Sequence, residues 1–210
     1  AKERKEHLLF AKALNILDYC GIPIPKMWIS GDPSQIPGPV EKAGRPVCLK
    51  MEVDGIAHKS SHGMVRLNIS TREDIECALM EMQEQLSVDQ KVRWMLIQEM
   101  VANGLELFIG VKRDPQLGPL LAVGRGGTDV EAYRDVAMTT IPLSAAQAIY
   151  TLEETKISGL IEDRFHPILA DIMVRASTLT AKFPQIKEMD INPLILNNEG
   201  VWAVDARILL

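Results

Sequence analysis

An asparagine and an aspartate near the C-terminal end have a spacing that suits a metal ion. The segment DINPLILNNEGVWAVDAR, residues 190–207, contains two strand-like stretches around the turn NNEG. A hairpin centred between Asn198 and Glu199 pairs positions whose numbers sum to 397, so it places Asn192 opposite Asp205. Opposite residues share one face, with Cβ atoms roughly 4.5–5.5 Å apart.

An amide oxygen beside a carboxylate is a donor set that Mg²⁺ accepts, with phosphate oxygens and water completing its coordination. The spacing of Asn192 and Asp205 also fits a structural hydrogen-bonded pair across the hairpin. A register shift of one residue would send the two side chains to opposite faces. The spacing therefore predicts a shared face and leaves both interpretations open.

Two further segments carry groups suited to phosphate. Lys50 lies within the apolar stretch RPVCLKMEV, where an ammonium needs water or an anion, and an edge strand would supply the water. The loop HKSSHG contains His58, Lys59 and Gly63, and such a loop can wrap a phosphate with backbone N–H groups. His58 is a candidate general acid, general base or nucleophile, or a member of an ordinary polar turn.

Acidic residues accompany the next strands. Glu99 ends one predicted strand and Glu106 begins the next, so both are expected to face the same site. A glycine-rich segment, GRGGTDVEAYRD, adds Glu131 and Asp135. It lacks the GK[ST] ending of a Walker A loop. The absence of an early GxGxxG argues against a dinucleotide-binding Rossmann start, and no Ser-His-Asp set can be recognised.

The pattern along the chain predicts α+β architecture. A helix is expected over residues 2–20, then an extended segment, a Pro- and Gly-rich loop over 31–44, two strands, and a helix capped by Ser70 or Thr71. Consecutive strands begin near Trp94, and helices follow Ser144 and cover 166–183 before the hairpin. We expect two α+β lobes, one formed by residues 1–98 and the other by residues 99–210.

Composition narrows the class of protein. The 210 residues are 47% hydrophobic and carry a net charge of −5, which argues against disorder and against a nucleic-acid partner. No apolar run reaches the roughly 20 residues of a membrane span. The spacing of Cys20, Cys48 and Cys77 favours neither zinc nor disulfides, so a cytoplasmic location is expected.

The ordered segments resemble one family of ligases. They extend from about residue 8 to residue 208 and read YCGIPIP, GRPVCLK, HKSSHGMVRLNI, IQEMVANGLELFIGVKRDPQLGP, VGRGGTDVEAYRDVA, IPL and EMDINPLIL…VWAVDARI. The chain resembles the ATP-grasp domain of the NDP-forming acyl-CoA synthetases, especially the beta subunit of ADP-forming acetate–CoA ligase. The same domain occurs in some protein acetyltransferases. The resemblance implies an ATP-grasp fold whose two α+β lobes hold a nucleotide between them.

The resemblance also implies cofactors and residue roles. The cofactors are ATP or ADP and Mg²⁺. The nucleotide-binding residues are Lys50 at the phosphates, Glu99, Met100 and Val101 beside the adenine, and Glu106 on the ribose side. The metal ligands are Asn192 and Asp205, and the catalytic candidates are His58, near the phosphohistidine, and Arg113, at the triphosphate.

The family reaction also needs a CoA-binding half, and no segment of this sequence resembles that half. A CoA-binding alpha subunit, or a fused CoA-binding domain, carries the phosphorylated histidine and the sites for acyl-CoA and carboxylic acid. The loop HKSSHGMV departs from the family pattern HKSD-x-GGV, because Ser61 replaces an acid and Met64 replaces a glycine. The altered loop motivates one alternative, a nucleotide-binding or regulatory module of a fused acetyltransferase. A carboxylate–amine ligase on the same fold is a further alternative, against which the Asp-Ile-Asn-Pro and HKS segments argue. The choice between ADP and GDP also stays open.

Overall fold

The computed structural model describes residues 10–53, 63–87, 89–127 and 135–210. Contacts divide the chain into two compact units, Pro25–Val101 and the described part of Ala1–Ile24 with Ala102–Leu210. These units differ from the predicted lobes, which are residues 1–98 and residues 99–210. Helix α1 (Phe10–Tyr19) packs against the last strand, β10 (Ala206–Leu209), and so belongs with the second half of the chain.

The unit Pro25–Val101 contains a four-stranded antiparallel sheet. In space its strands follow the order β1-β4-β2-β3. Apolar side chains alternate along β2, and Val47, Leu49 and Met51 form a core with the two helices of the unit. The elements are β1 (Met27–Ser30), α2 (Pro37–Ala43), β2 (Val47–Val53), β3 (Val65–Ile69), α3 (Arg72–Glu84) and β4 (Val92–Glu99).

Helix α2 corrects the prediction that residues 31–44 are mostly loop. Pro37 and Pro39 lie in its first turn, where a missing N–H leaves no helical hydrogen bond unmade. Gly44 ends the helix in the left-handed conformation with φ of 66°. The predicted cap of α3 is confirmed, because the Thr71 side chain and Asp74 form a capping box.

The second unit contains a six-stranded sheet in the order β10-β8-β5-β6-β7, with β9 paired to β8. Leu107, Ile109 and Val111 of β5 lie on the face that packs against two helices, so alternate residues lie on the other face. The remaining elements are β5 (Leu105–Asp114), β6 (Gly118–Arg125), β7 (Val136–Thr140), α4 (Ala145–Glu153), α5 (His166–Lys182), β8 (Glu188–Asn197) and β9 (Gly200–Ala203).

The register of the C-terminal hairpin agrees with the turn arithmetic. Asn197 pairs with Gly200 and Leu194 with Ala203, and both pairs sum to 397. Strand β10 continues the same register against β8, with Ala206 opposite Ile191. Ser144 caps α4 as predicted. Across the part of the chain that the structure describes, no helix combines the length and the apolar character that crossing a bilayer requires.

Candidate functional site

Asn192 and Asp205 lie opposite each other, as the hairpin spacing predicts. The Asn192 N–H donates a hydrogen bond to the Asp205 carbonyl oxygen at 3.2 Å. Asp190 lies two residues before Asn192 and therefore on the same face of β8, and it pairs with Arg207 of β10. Since Met189 and Ile191 point into the core, these polar residues lie on the face that the helices leave uncovered.

A glycine turn connects Glu106 to this pair. The Gly127 N–H donates to Asn192 Oδ1 at 3.0 Å, and the Gly126 N–H donates to the Glu106 carbonyl oxygen at 2.8 Å. Gly127 has φ of +86°, and a Cβ at this position would overlap Glu106 Oε2. The structure thus brings together Glu106, Asn192 and Asp205 and adds Gly127, whose contribution the glycine-rich pattern indicated only weakly.

Negative charge is concentrated at this place. The pKa of the Asp190 carboxyl is raised above its usual range, first because the surrounding protein partly desolvates it and next because of the charge of Asp205. Glu188 raises the pKa further and Arg207 lowers it. Asp190 retains solvent exposure, and the raised pKa means that its carboxyl loses its proton less readily than an isolated aspartic acid does. A cation would relieve the repulsion between the two carboxylates.

The oxygen donors fit a magnesium ion with few protein ligands. Within residues 10–53, 63–87, 89–127 and 135–210, no group of three or more His, Cys, Asp or Glu side chains could hold a metal. Asn192 Oδ1 retains a second lone pair beyond its bond from Gly127, and Asp205 has a second oxygen beyond the Oδ1 that accepts from Ala206 N–H at 2.9 Å. Mg²⁺ commonly binds one or two protein oxygens and completes its octahedron with phosphates and water.

In the other unit, Lys50 lies in the middle of the sheet. Strand β2 is flanked by β4 and β3, and only 7% of Lys50 is exposed. The edge-strand interpretation of this lysine is therefore wrong, because strand order, which a local pattern does not reveal, makes β2 an inner strand. Lys50 shares with Cys48 the sheet face opposite the helix-packed core.

The segment after β4 is held by backbone and side-chain contacts. The N–H groups of Glu99 and Met100 donate to the carbonyl oxygens of Lys26 and Pro46, each at 2.9 Å. The Glu99 carboxylate lies 3.6 Å from Lys26 Nζ and 3.9 Å from Arg45 Nε. These contacts fix the conformation of Glu99 and Met100. An adenine beside them would have to be read by backbone groups other than these two N–H groups.

Arg113 is not brought together with the other predicted residues. It shares the helix-covered face of β5 with Val111, whereas Asp190 and Asn192 lie on the opposite face. Its Nε donates to the Ile186 carbonyl oxygen at 2.8 Å and its Nη2 to the Thr180 carbonyl oxygen at 2.6 Å. The guanidinium therefore fastens the end of α5 to the sheet, and we leave it out of the site proposed below.

Replacing Arg113 by Met is expected to lower the free energy of unfolding by about 3 kcal/mol, since two carbonyl oxygens lose a charged donor. Urea unfolding followed by circular dichroism measures the change. The matched control is Lys112→Met, which removes an exposed ion pair to Glu188 and should cost less than about 0.5 kcal/mol. An unchanged unfolding midpoint combined with weaker nucleotide binding would instead assign Arg113 to the phosphates.

The remaining polar residues of the sequence prediction have a structural role or lie outside the described residues. His58 and Glu131 lie outside the described residues. The Asp135 carboxylate accepts hydrogen bonds from the N–H groups of Lys156 and Ile157 at 2.7 and 2.8 Å, which gives it a structural role. Two surface depressions of the second unit, beside Phe165 and beside His166, contain none of the predicted site residues.

A family model described as the ATP-grasp domain matches residues 1–210. The beta subunit of ADP-forming acetate–CoA ligase I from Pyrococcus furiosus is 32% identical over 219 residues, covering 100% of this chain and 94% of the relative. ADP-forming acetate–CoA ligase I from Archaeoglobus fulgidus is also 32% identical over 95% of this chain, which spans only 30% of that longer protein. The chain thus corresponds to nearly all of a separate subunit and to under a third of a fused relative.

Solved structures agree with the sequence relatives. Acetyl-coenzyme A synthetase 1 of Ca. Korarchaeum cryptofilum, in complex with coenzyme A and Ca-AMPCP, superposes with a TM-score of 0.91 and is 32% identical, over 99% of this chain and 94% of that chain. Another structure of that enzyme contains coenzyme A, Mg-AMPPCP and a phosphohistidine segment that points towards the nucleotide binding site. It superposes with a TM-score of 0.83 and is 32% identical, over 97% of this chain and 92% of that chain. This chain belongs to the ATP-grasp family and, within it, to the group that includes the beta subunits of ADP-forming acetate–CoA ligases.

Proposed function

We propose that this chain is the nucleotide- and magnesium-binding part of an NDP-forming acid–CoA ligase. It would transfer phosphate between ATP or ADP and a phosphohistidine carried by a CoA-binding partner subunit or fused domain. The observation that carries the proposal is the pairing of Asn192 with Asp205 beside Asp190, Gly127 and Glu106, in a chain that matches a ligase beta subunit over its full length.

In this proposal the second unit binds the metal and the sugar. Asn192 and Asp205 would hold Mg²⁺, and Glu106 would accept a hydrogen bond from a ribose hydroxyl. When bound, the ion supplies charge neutralisation and orientation of the phosphate oxygens. Without a cation, Asp190 and Asp205 would repel a phosphate, so we expect nucleotide affinity to depend on Mg²⁺.

The unit Pro25–Val101 would contribute the remaining contacts. Lys50 would donate from its ammonium to phosphate oxygens and offset their charge. Residues 99–101 would lie against the base, with Glu99 and Met100 held by the Lys26 and Pro46 carbonyl oxygens. Phosphoryl transfer depends mostly on positioning and electrostatic stabilisation, and these residues supply both. The attacking or leaving nitrogen would belong to the histidine of the partner.

The first experiment is calorimetric titration of the chain with ADP and with a non-hydrolysable ATP analogue, with and without Mg²⁺. We expect binding that Mg²⁺ strengthens, and an absence of binding in both conditions would contradict the proposal. The second experiment adds the CoA-binding half, acyl-CoA, phosphate and ADP. ATP, free CoA and the free acid should form in equal amounts, with a phosphohistidine as the intermediate. Nucleotide binding without this transfer would favour a regulatory module.

A further inference from the structure

A glutamine next to the proposed base site has an unsatisfied hydrogen-bond donor. Gln98 of β4 is only 1% exposed. Its Oε1 accepts a weak hydrogen bond from Cys48 Sγ at 3.8 Å, and among the described residues its Nε2 has no partner. An enclosed amide donor that makes no hydrogen bond costs free energy, and folded proteins rarely retain one without a reason.

The position of Gln98 relates this donor to the proposed nucleotide. Gln98 pairs with Cys48 across the sheet, and Lys50 pairs with Leu96, so Gln98 and Lys50 are diagonal neighbours roughly 7–8 Å apart on one face. Gln98 also directly precedes residues 99–101. A nucleotide whose phosphates contact Lys50 and whose base lies against residues 99–101 therefore has its base within reach of the Gln98 carboxamide.

We propose that Gln98 reads the N6 and N7 edge of adenine and so makes the nucleotide site specific for adenine. This inference rests on the proposed function. Nε2 would donate to N7, and Oε1 would accept from the N6 amino group, which is the pairing that a carboxamide makes with adenine. Guanine presents O6 where adenine has its amino group, and O6 would face Oε1 as a second acceptor.

Two features of the surroundings suit this role. A thiol is a weak donor, so Cys48 orients the carboxamide and leaves Oε1 able to accept a second, stronger hydrogen bond. The face is enclosed, and hydrogen bonds shielded from water discriminate more strongly between matched and mismatched partners. Binding of adenine here would give the Gln98 Nε2 donor the partner that it lacks among the described residues.

The test compares three diphosphates, ADP, GDP and 7-deaza-ADP, by calorimetric titration of the whole chain with Mg²⁺. We expect the wild-type chain to bind ADP about tenfold or more tightly than GDP, and about tenfold more tightly than 7-deaza-ADP, which lacks only the N7 acceptor. The Gln98→Met variant should bind ADP about tenfold more weakly than the wild-type chain does. It should bind ADP and 7-deaza-ADP with equal affinity. The control Gln83→Met changes an exposed glutamine of α3 and should retain both preferences.

Each contrary result has a distinct meaning. Equal affinity of the wild-type chain for ADP and 7-deaza-ADP would overturn the role of Gln98 and leave the proposed function standing, and this measurement needs no variant to fold. A penalty for 7-deaza-ADP that persists in Gln98→Met would show that another group reads N7 and would also overturn the inference. If none of the three nucleotides binds, both the inference and the proposed function fail.

Discussion

Asp205→Asn is expected to remove most of the effect of Mg²⁺ on nucleotide binding. Asp205 is the one carboxylate of the Asn192–Asp205 pair, and its replacement by an amide preserves shape while removing the charge that holds a divalent ion. Altering residues that merely support a metal ligand already lowers metal affinity 10–100-fold, so we expect losing this ligand to lower it by about 100-fold or more.

The measurement is the ratio of ADP dissociation constants without and with Mg²⁺, obtained by calorimetry. The ratio should approach one in Asp205→Asn, whereas binding without Mg²⁺ should be unchanged or slightly tighter, because one repelling carboxylate is gone. The control is Glu199→Gln, the same chemical change in the turn at the other end of the hairpin. If Asp205→Asn retains the wild-type ratio, the pair is structural and the metal lies elsewhere.

Lys50→Met is expected to weaken ADP and ATP binding by about 100-fold, because an enclosed ammonium makes strong charge-assisted hydrogen bonds to phosphate. Methionine keeps most of the length of the side chain and fits an inner strand, so folding should survive. Adenosine, which has no phosphate, should lose little affinity. The contrast between adenosine and ADP isolates the phosphate contact from a general disturbance of the site.

Lys42→Met supplies the control for this change. Lys42 is an exposed lysine in the last turn of α2, and its replacement should leave ADP affinity within about twofold of wild type. Thermal unfolding of both variants checks that the fold is intact. A Lys50→Met chain that unfolds at the wild-type temperature and binds ADP normally would remove Lys50 from the proposed site.

Local rules accounted for much of the fold and of the site. The register of Asn192 and Asp205 followed from the turn, because hairpin pairing is fixed by loop length. Features that depend on contacts between distant parts of the chain could not be predicted from local sequence patterns. The inner position of β2 at Lys50 and the approach of Gly127 to Asn192 arise from pairings that no local pattern contains. The prolines of α2 were misleading for another reason, since proline excludes a helix interior but not a first turn.

The grouping of α1 with β10 has a consequence for biosynthesis. Ala203 N–H donates to the Pro23 carbonyl oxygen, and α1 packs on β10, so the second unit joins segments from both ends of the described chain. Residues 25–101 form one uninterrupted segment, so every contact partner within that unit has been made once residue 101 leaves the ribosome. Helix α1 is made before them, yet its packing partner emerges more than a hundred residues later. We therefore expect the apolar side of α1, with Leu14 and Leu17, to stay unpacked against β10 until residues 206–209 have emerged from the ribosome.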